Sequence, residues 1–91
     1  MIYELNFTDK VKKQISIIKR SDVAVYAKLC KLFVELMEHP RIGTGKPELM
    51  KYDFEGYYSR RITKRCRLVY RIDDEMIVVE VIRVSGHYDD K

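Results

Sequence analysis

With 91 residues the chain has room for one domain, 1–91, which buries only about 60–65% of the surface its unfolded form exposes and leaves little space for a large internal cofactor pocket. A hydrophobic fraction of 46% beside 35% charged residues excludes a disordered chain and describes a globular domain with a very polar exterior. A formal net charge of +4 points to an acidic partner, whether nucleic acid, anionic lipid or an acidic protein, and no apolar run approaches the roughly 20 residues of a membrane span.

Along the chain, Tyr3, Leu5 and Phe7 alternate with Ile2, Glu4 and Asn6, which predicts a first strand over 1–7. Thr8 offers a side-chain oxygen to a helix start and Asp9 places negative charge in its first turn, with Val11, Ile15 and Ile18 following at helical spacing. Ser21 or Asp22 caps a second helix. Its apolar face is Val25 or Tyr26, Leu29, Cys30, Leu32, Phe33, Leu36 and Met37, and it stops at His39 because Pro40 disfavours helical geometry in the residue before it. The N-terminal MIYELNFTDK lacks the charged head and apolar body of a signal peptide, and Cys30 and Cys66 show no metal-binding or redox spacing. A cytoplasmic protein with two free thiols is expected.

A loop over 41–47 follows, in which Gly43 and Gly45 permit positive φ or close backbone approach to a ligand. Its GTGK string is too short for a nucleotide-triphosphate loop. Residues 49–52 suggest a short strand and 53–56 a turn. Residues 57–63 and 67–73 predict a hairpin, and 76–85, MIVVEVIRVS, a strand apolar on both faces and therefore interior to the sheet. A loop of Lys64, Arg65 and Cys66 would set Arg61 opposite Val69, on the same face as Arg67; a two-residue loop would separate the two arginines and bury one charge. By the same parity Val81, Arg83, Ser85 and His87 share a face.

Charge is concentrated along 43–70, where seven basic residues stand against three acidic ones, an excess equal to that of the whole chain. The stretch reads as one basic surface for a polyanion. Adding Glu48 and His87 to Arg61 and Arg67 supplies more than binding. RNA carries its own nucleophile, so cleavage needs a base for the 2′-hydroxyl, cations around the phosphate and an acid for the leaving oxygen, and Glu, Arg and His fill those roles without metal. No carboxylate pair stands at metal-binding spacing, so no metal and no cofactor are expected. Tyr57, Tyr58 and Tyr88 are candidates to stack on bases.

The strings GTGKPELMK, SRRIT, RLVY and a final HY, covering Gly43 to Tyr88, resemble the YoeB toxins of bacterial toxin–antitoxin modules, within the RelE superfamily. The resemblance implies an α+β, microbial-ribonuclease-like fold of two helices on a twisted, mainly antiparallel sheet of four to five strands. It implies a toxin that cuts translated messenger RNA in the ribosomal A site, is neutralised by an antitoxin of the YefM or Phd type, and often forms a homodimer. Carried over by position, Glu48 matches the general base, Arg67 the arginine stabilising the transition state and His87 the general acid. Lys46, Lys51 and Arg61 fall among the phosphate-binding cations, and Tyr88 is the aromatic beside the acid. The chain departs from the family pattern in continuing through Asp89, Asp90 and Lys91, whose carboxylates stabilise a charged His87 or repel RNA. A non-catalytic RNA-binding module and a ParE-like toxin acting on a DNA topoisomerase are the alternatives.

Overall fold

The computed structural model describes residues 2–86. Strand β1 (Glu4–Phe7) leads into helix α1 (Asp9–Ser21) and helix α2 (Val23–Glu38), followed by β2 (Glu48–Leu49), a single 3-10 turn (Tyr52–Phe54), β3 (Tyr58–Arg61), β4 (Cys66–Asp73) and β5 (Val78–Gly86). Thr8 accepts the Val11 amide at the start of α1, and the Asp22 carboxylate accepts the Val25 amide at the start of α2. The second helix ends before Pro40 as its sequence requires, with His39 as its last cap. Among the described residues no helix is long and apolar enough to cross a membrane.

The five strands lie in the order β1-β5-β4-β3-β2. After the helices the chain starts again at the far edge of the sheet and returns strand by strand until β5 pairs with β1 in parallel; the other pairings are antiparallel. The expected interior strand, β5, is paired on both sides, and β4 is the middle strand. One face of the sheet packs on the helices. Val11, Ile18, Leu29 and Leu36 from the helices meet Leu68, Tyr70, Val79 and Val81 from the sheet in a single core. This leaves the opposite face free of helices.

Two register expectations are corrected. The β3–β4 loop is Thr63, Lys64 and Arg65 rather than 64–66, because Ile62 pairs with Cys66 (Ile62 N to Cys66 O, 2.8 Å) and Arg61 directly faces Arg67. Cys66 is wholly buried and so belongs to the strand, while the Thr63 hydroxyl accepts the amides of Arg65 and Cys66 and so shapes the turn. Moving the pairing by two positions preserves parity, so Arg61 and Arg67 still share a face.

The second correction is in β5. Val69 pairs with Arg83 but Tyr70 pairs with Val81, which leaves Ile82 as the extra residue of a bulge. Val81 therefore faces the core and not the side of Arg83, against the expected row of 81, 83, 85 and 87. Strict alternation would have buried Arg83 beside Val81. One inserted residue turns Arg83 away and returns Val84 to the core. Beyond the end of β1, the Val84 amide is accepted by the Gln14 side chain of α1 at 3.0 Å.

Candidate functional site

Glu48 enters the sheet on the short edge strand β2, opposite Ser59. The loop before it is held from both sides. The Gly45 carbonyl accepts the Arg61 amide at 2.9 Å, and a Cβ on Gly45 (φ +86°) would lie 2.5 Å from the Arg61 carbonyl oxygen, so only glycine fits. A Cβ on Gly43 (φ +122°) would lie equally close to the Glu35 carboxylate. The close approach of these glycines is thus to the protein's own strand and helix, not to a ligand as expected.

Arg60 is the main departure from the expected basic surface. It is wholly buried, on the helix side of the sheet. Its Nε donates to the Tyr70 hydroxyl (3.0 Å), Nη1 to Glu35 Oε1 (2.9 Å) and the Thr44 carbonyl (3.3 Å), and Nη2 to the carbonyls of His39 (2.6 Å) and Ile42 (2.8 Å). Tyr70 in turn donates to the Pro40 carbonyl at 2.7 Å. Glu35 also accepts the Thr44 hydroxyl (2.6 Å) and amide (2.9 Å). These bonds, the Thr44 hydroxyl foremost, together with the Arg60 charge hold its carboxyl below the usual range although burial opposes them. Arg60 is a clamp under the loop that delivers Glu48, unavailable to a ligand.

On the open face, cross-strand pairing aligns Glu48, Ser59, Val69 and Arg83 in one row, with the Arg61–Arg67 pair in the next. Arg67 Nη1 donates to the Ser59 hydroxyl at 3.3 Å, which directs the guanidinium towards the row that holds Glu48. Residues 48–52, Ser59 and Arg67 line one open groove of about 350 Å³. The structure therefore brings Glu48, Lys51 and Arg67 together and places Arg61 opposite Arg67. Lys46 is exposed in the preceding loop at φ +50°. His87 and Tyr88, with residues 89–91, lie outside the described residues.

Arg61 and Arg67, both exposed, form a like-charge cross-strand pair, an arrangement unfavourable by itself that an anion between them would relieve. A carboxylate across the same groove adds a proton acceptor to that anion site. Among the described residues no three His, Cys, Asp or Glu side chains converge to hold a metal ion.

Two expectations about aromatics change. Tyr58 stacks on Tyr70 (5.8 Å, 17°) and lies under Arg41, so it serves the core, and Tyr57 packs edge-on against Phe54. Tyr52, not singled out by the sequence, lines the groove and is 90% exposed. Its position inside an apparent short strand hid it, since nothing in the residue types announces its left-handed backbone (φ +61°).

Two helices on one face of a mainly antiparallel five-stranded sheet, with a cation-rich site on the other, define the chain as a small toxin of the RelE type. It belongs to the family of YoeB-like toxins of bacterial type II toxin–antitoxin systems, whose sequence profile matches residues 7–88. Toxin YoeB of Streptomyces coelicolor is 41% identical over 68 residues, covering 75% of this chain and 79% of the relative. A YoeB/ParE toxin from Agrobacterium tumefaciens superposes with a TM-score of 0.86 at 35% identity, over 93% of this chain and 99% of that one. The toxin in the YoeB–YefM complex from Staphylococcus aureus superposes at 0.83 with 27% identity, over 97% of this chain and 100% of that one.

Proposed function

We propose that this toxin is a ribosome-dependent endoribonuclease that cuts translated messenger RNA in the A site and is neutralised by an antitoxin of the YefM type. The observation that carries the reading is the placing of Glu48 and Arg67 on one groove, with Arg61 paired opposite Arg67. Glu48 takes the proton of a ribose 2′-hydroxyl. The freed oxygen attacks the adjacent phosphorus, charge builds on the phosphoryl oxygens against Arg67, Arg61 and Lys51, and the bond to the 5′-oxygen breaks as His87 returns a proton to it. A 2′,3′-cyclic phosphate and a 5′-hydroxyl end result. Lys46 binds the flanking phosphate, and Tyr88, next to His87 in sequence, assists the acid step. DNA lacks the 2′-hydroxyl and does not react by this route.

The test is cleavage of messenger RNA on programmed ribosomes, read as new 5′ ends. Glu48→Gln, Arg67→Ala and His87→Gln are each expected to lower the rate by about 10²-fold or more. Full activity in all three overturns the mechanism. Salt-dependent RNA binding without new ends would leave a binding module, and intact RNA with a poisoned topoisomerase would mark a ParE-like toxin.

A further inference from the structure

Tyr52 is the most exposed large apolar or aromatic side chain among the described residues, at 90%. It lies in the wall of the groove that holds Glu48, Lys51 and Arg67. The aromatics that follow it in the chain are engaged inside the protein, Phe54 with Tyr57 and Tyr58 with Tyr70. Among the described residues the Tyr52 ring stacks on no other ring. Its backbone is left-handed at φ +61°, a conformation unfavourable for a residue with a Cβ, and it opens the 3-10 turn closed by the Glu55 amide on the Tyr52 carbonyl at 3.0 Å. The chain thus turns out of β2 at this residue and leaves an aromatic ring in solvent beside three charged side chains.

We propose that Tyr52 is a substrate-binding residue whose ring stacks on the nucleobase adjoining the phosphate held by Lys51 and Arg67. The inference rests on the RNA-cleaving reading of this groove. Cations alone grip phosphate without fixing the sugar beside it, and a stacked base fixes the nucleotide's orientation, so that its 2′-hydroxyl faces Glu48. Stacking tolerates any base because each has a π-face, so Tyr52 orders the strand without dictating sequence.

The chain contains no tryptophan, so Tyr52→Trp introduces a single indole reporter into the groove. The probe is a short single-stranded RNA with 2′-O-methyl groups throughout, which cannot be cut, and a set of the same strands each with one abasic position. Saturable quenching of the indole is expected, reduced by an abasic site at one position. Tyr52→Ala should weaken binding about tenfold, Tyr52→Phe should restore it, and the Tyr52→Ala defect should vanish on the strand abasic at that position. No quenching, equal binding by Tyr52→Ala, or a defect that persists on every abasic strand overturns the proposal. The ribosome assay separates the two readings. Binding defects without cleavage by the unmodified toxin sink the nuclease, whereas cleavage with unchanged kcat/KM in Tyr52→Ala sinks the stacking role.

Discussion

Arg60 uses all five of its N–H donors on five acceptors, four of which belong to α2, its cap and the loop that follows. Arg60→Lys keeps the charge but offers three donors, leaving at least two acceptors unmet in a buried site. We expect Arg60→Ala to destabilise the fold by about 3–5 kcal/mol, the usual cost of removing one partner of a buried pair, with Arg60→Lys recovering only part of it. Urea midpoints of the three proteins check this. Its partner Glu35 is half-buried, and its folded pKa is depressed below the ordinary 4.5. A depressed carboxylate adds stability above the unfolded value and loses it as pH falls through the folded one. Below about pH 4.5 the unmodified chain should lose stability more steeply than Glu35→Gln, as read from urea midpoints between pH 7 and pH 3. Equal slopes would remove Glu35 as the source.

At the scale of elements, the two helices and their caps follow from periodicity and from Thr8, Asp22 and Pro40, and the structure has them where those residues place them. The burial of Arg60 was also within reach. If Arg61 and Arg67 share the open face, then alternation puts Arg60 with Ile62 on the core side. The basic excess along 43–70 therefore includes one cation that strand alternation assigns to the core. The bulge at Ile82 was not readable in the same way, because Val81 and Ile82 suit a core equally, and only the need to turn Arg83 outward selects the extra residue. The turn at Tyr52 was hidden because left-handed geometry at a tyrosine has no sequence signal. Gly45 is the opposite case, its role plain from residue type. Gly45→Ala adds backbone strain of about 1–2 kcal/mol and sets a methyl against the Arg61 carbonyl. Because the displaced segment leads directly to Glu48, we expect kcat in the ribosome assay to fall at least tenfold among folded molecules, with the melting temperature lowered by about 4–16 °C. A large loss of stability with kcat unchanged among folded molecules would show that the loop does not position Glu48.

For the whole molecule, the return path of the chain assigns one face to the helices and the other to the site. Glu48 and Arg67, far apart in sequence, reach one groove, and Arg83 stands at the far end of the Glu48 row, because β2, β3, β4 and β5 are consecutive neighbours and each row across them collects residues from separate strands. The cations divide accordingly: Arg61 and Arg67 stand on the open face and Arg60 is enclosed. Lys12, Lys13 and Arg20 border a separate hollow on α1, in the layer behind the sheet. A short RNA lying in the groove cannot also reach α1 through the sheet. Counterion release then makes the salt dependence of binding a count of the phosphates each face engages, with log K falling by about 0.7 per phosphate for a single strand. Arg61→Ala and Arg67→Ala should each lower the slope of log K against log salt concentration by about 0.7 on an uncleavable RNA short enough to occupy the groove alone. Lys13→Ala should leave it unchanged. Fluorescence anisotropy across a series of salt concentrations gives these slopes, and an equal reduction for Lys13→Ala would mean that the RNA runs over the helical layer instead of the open sheet.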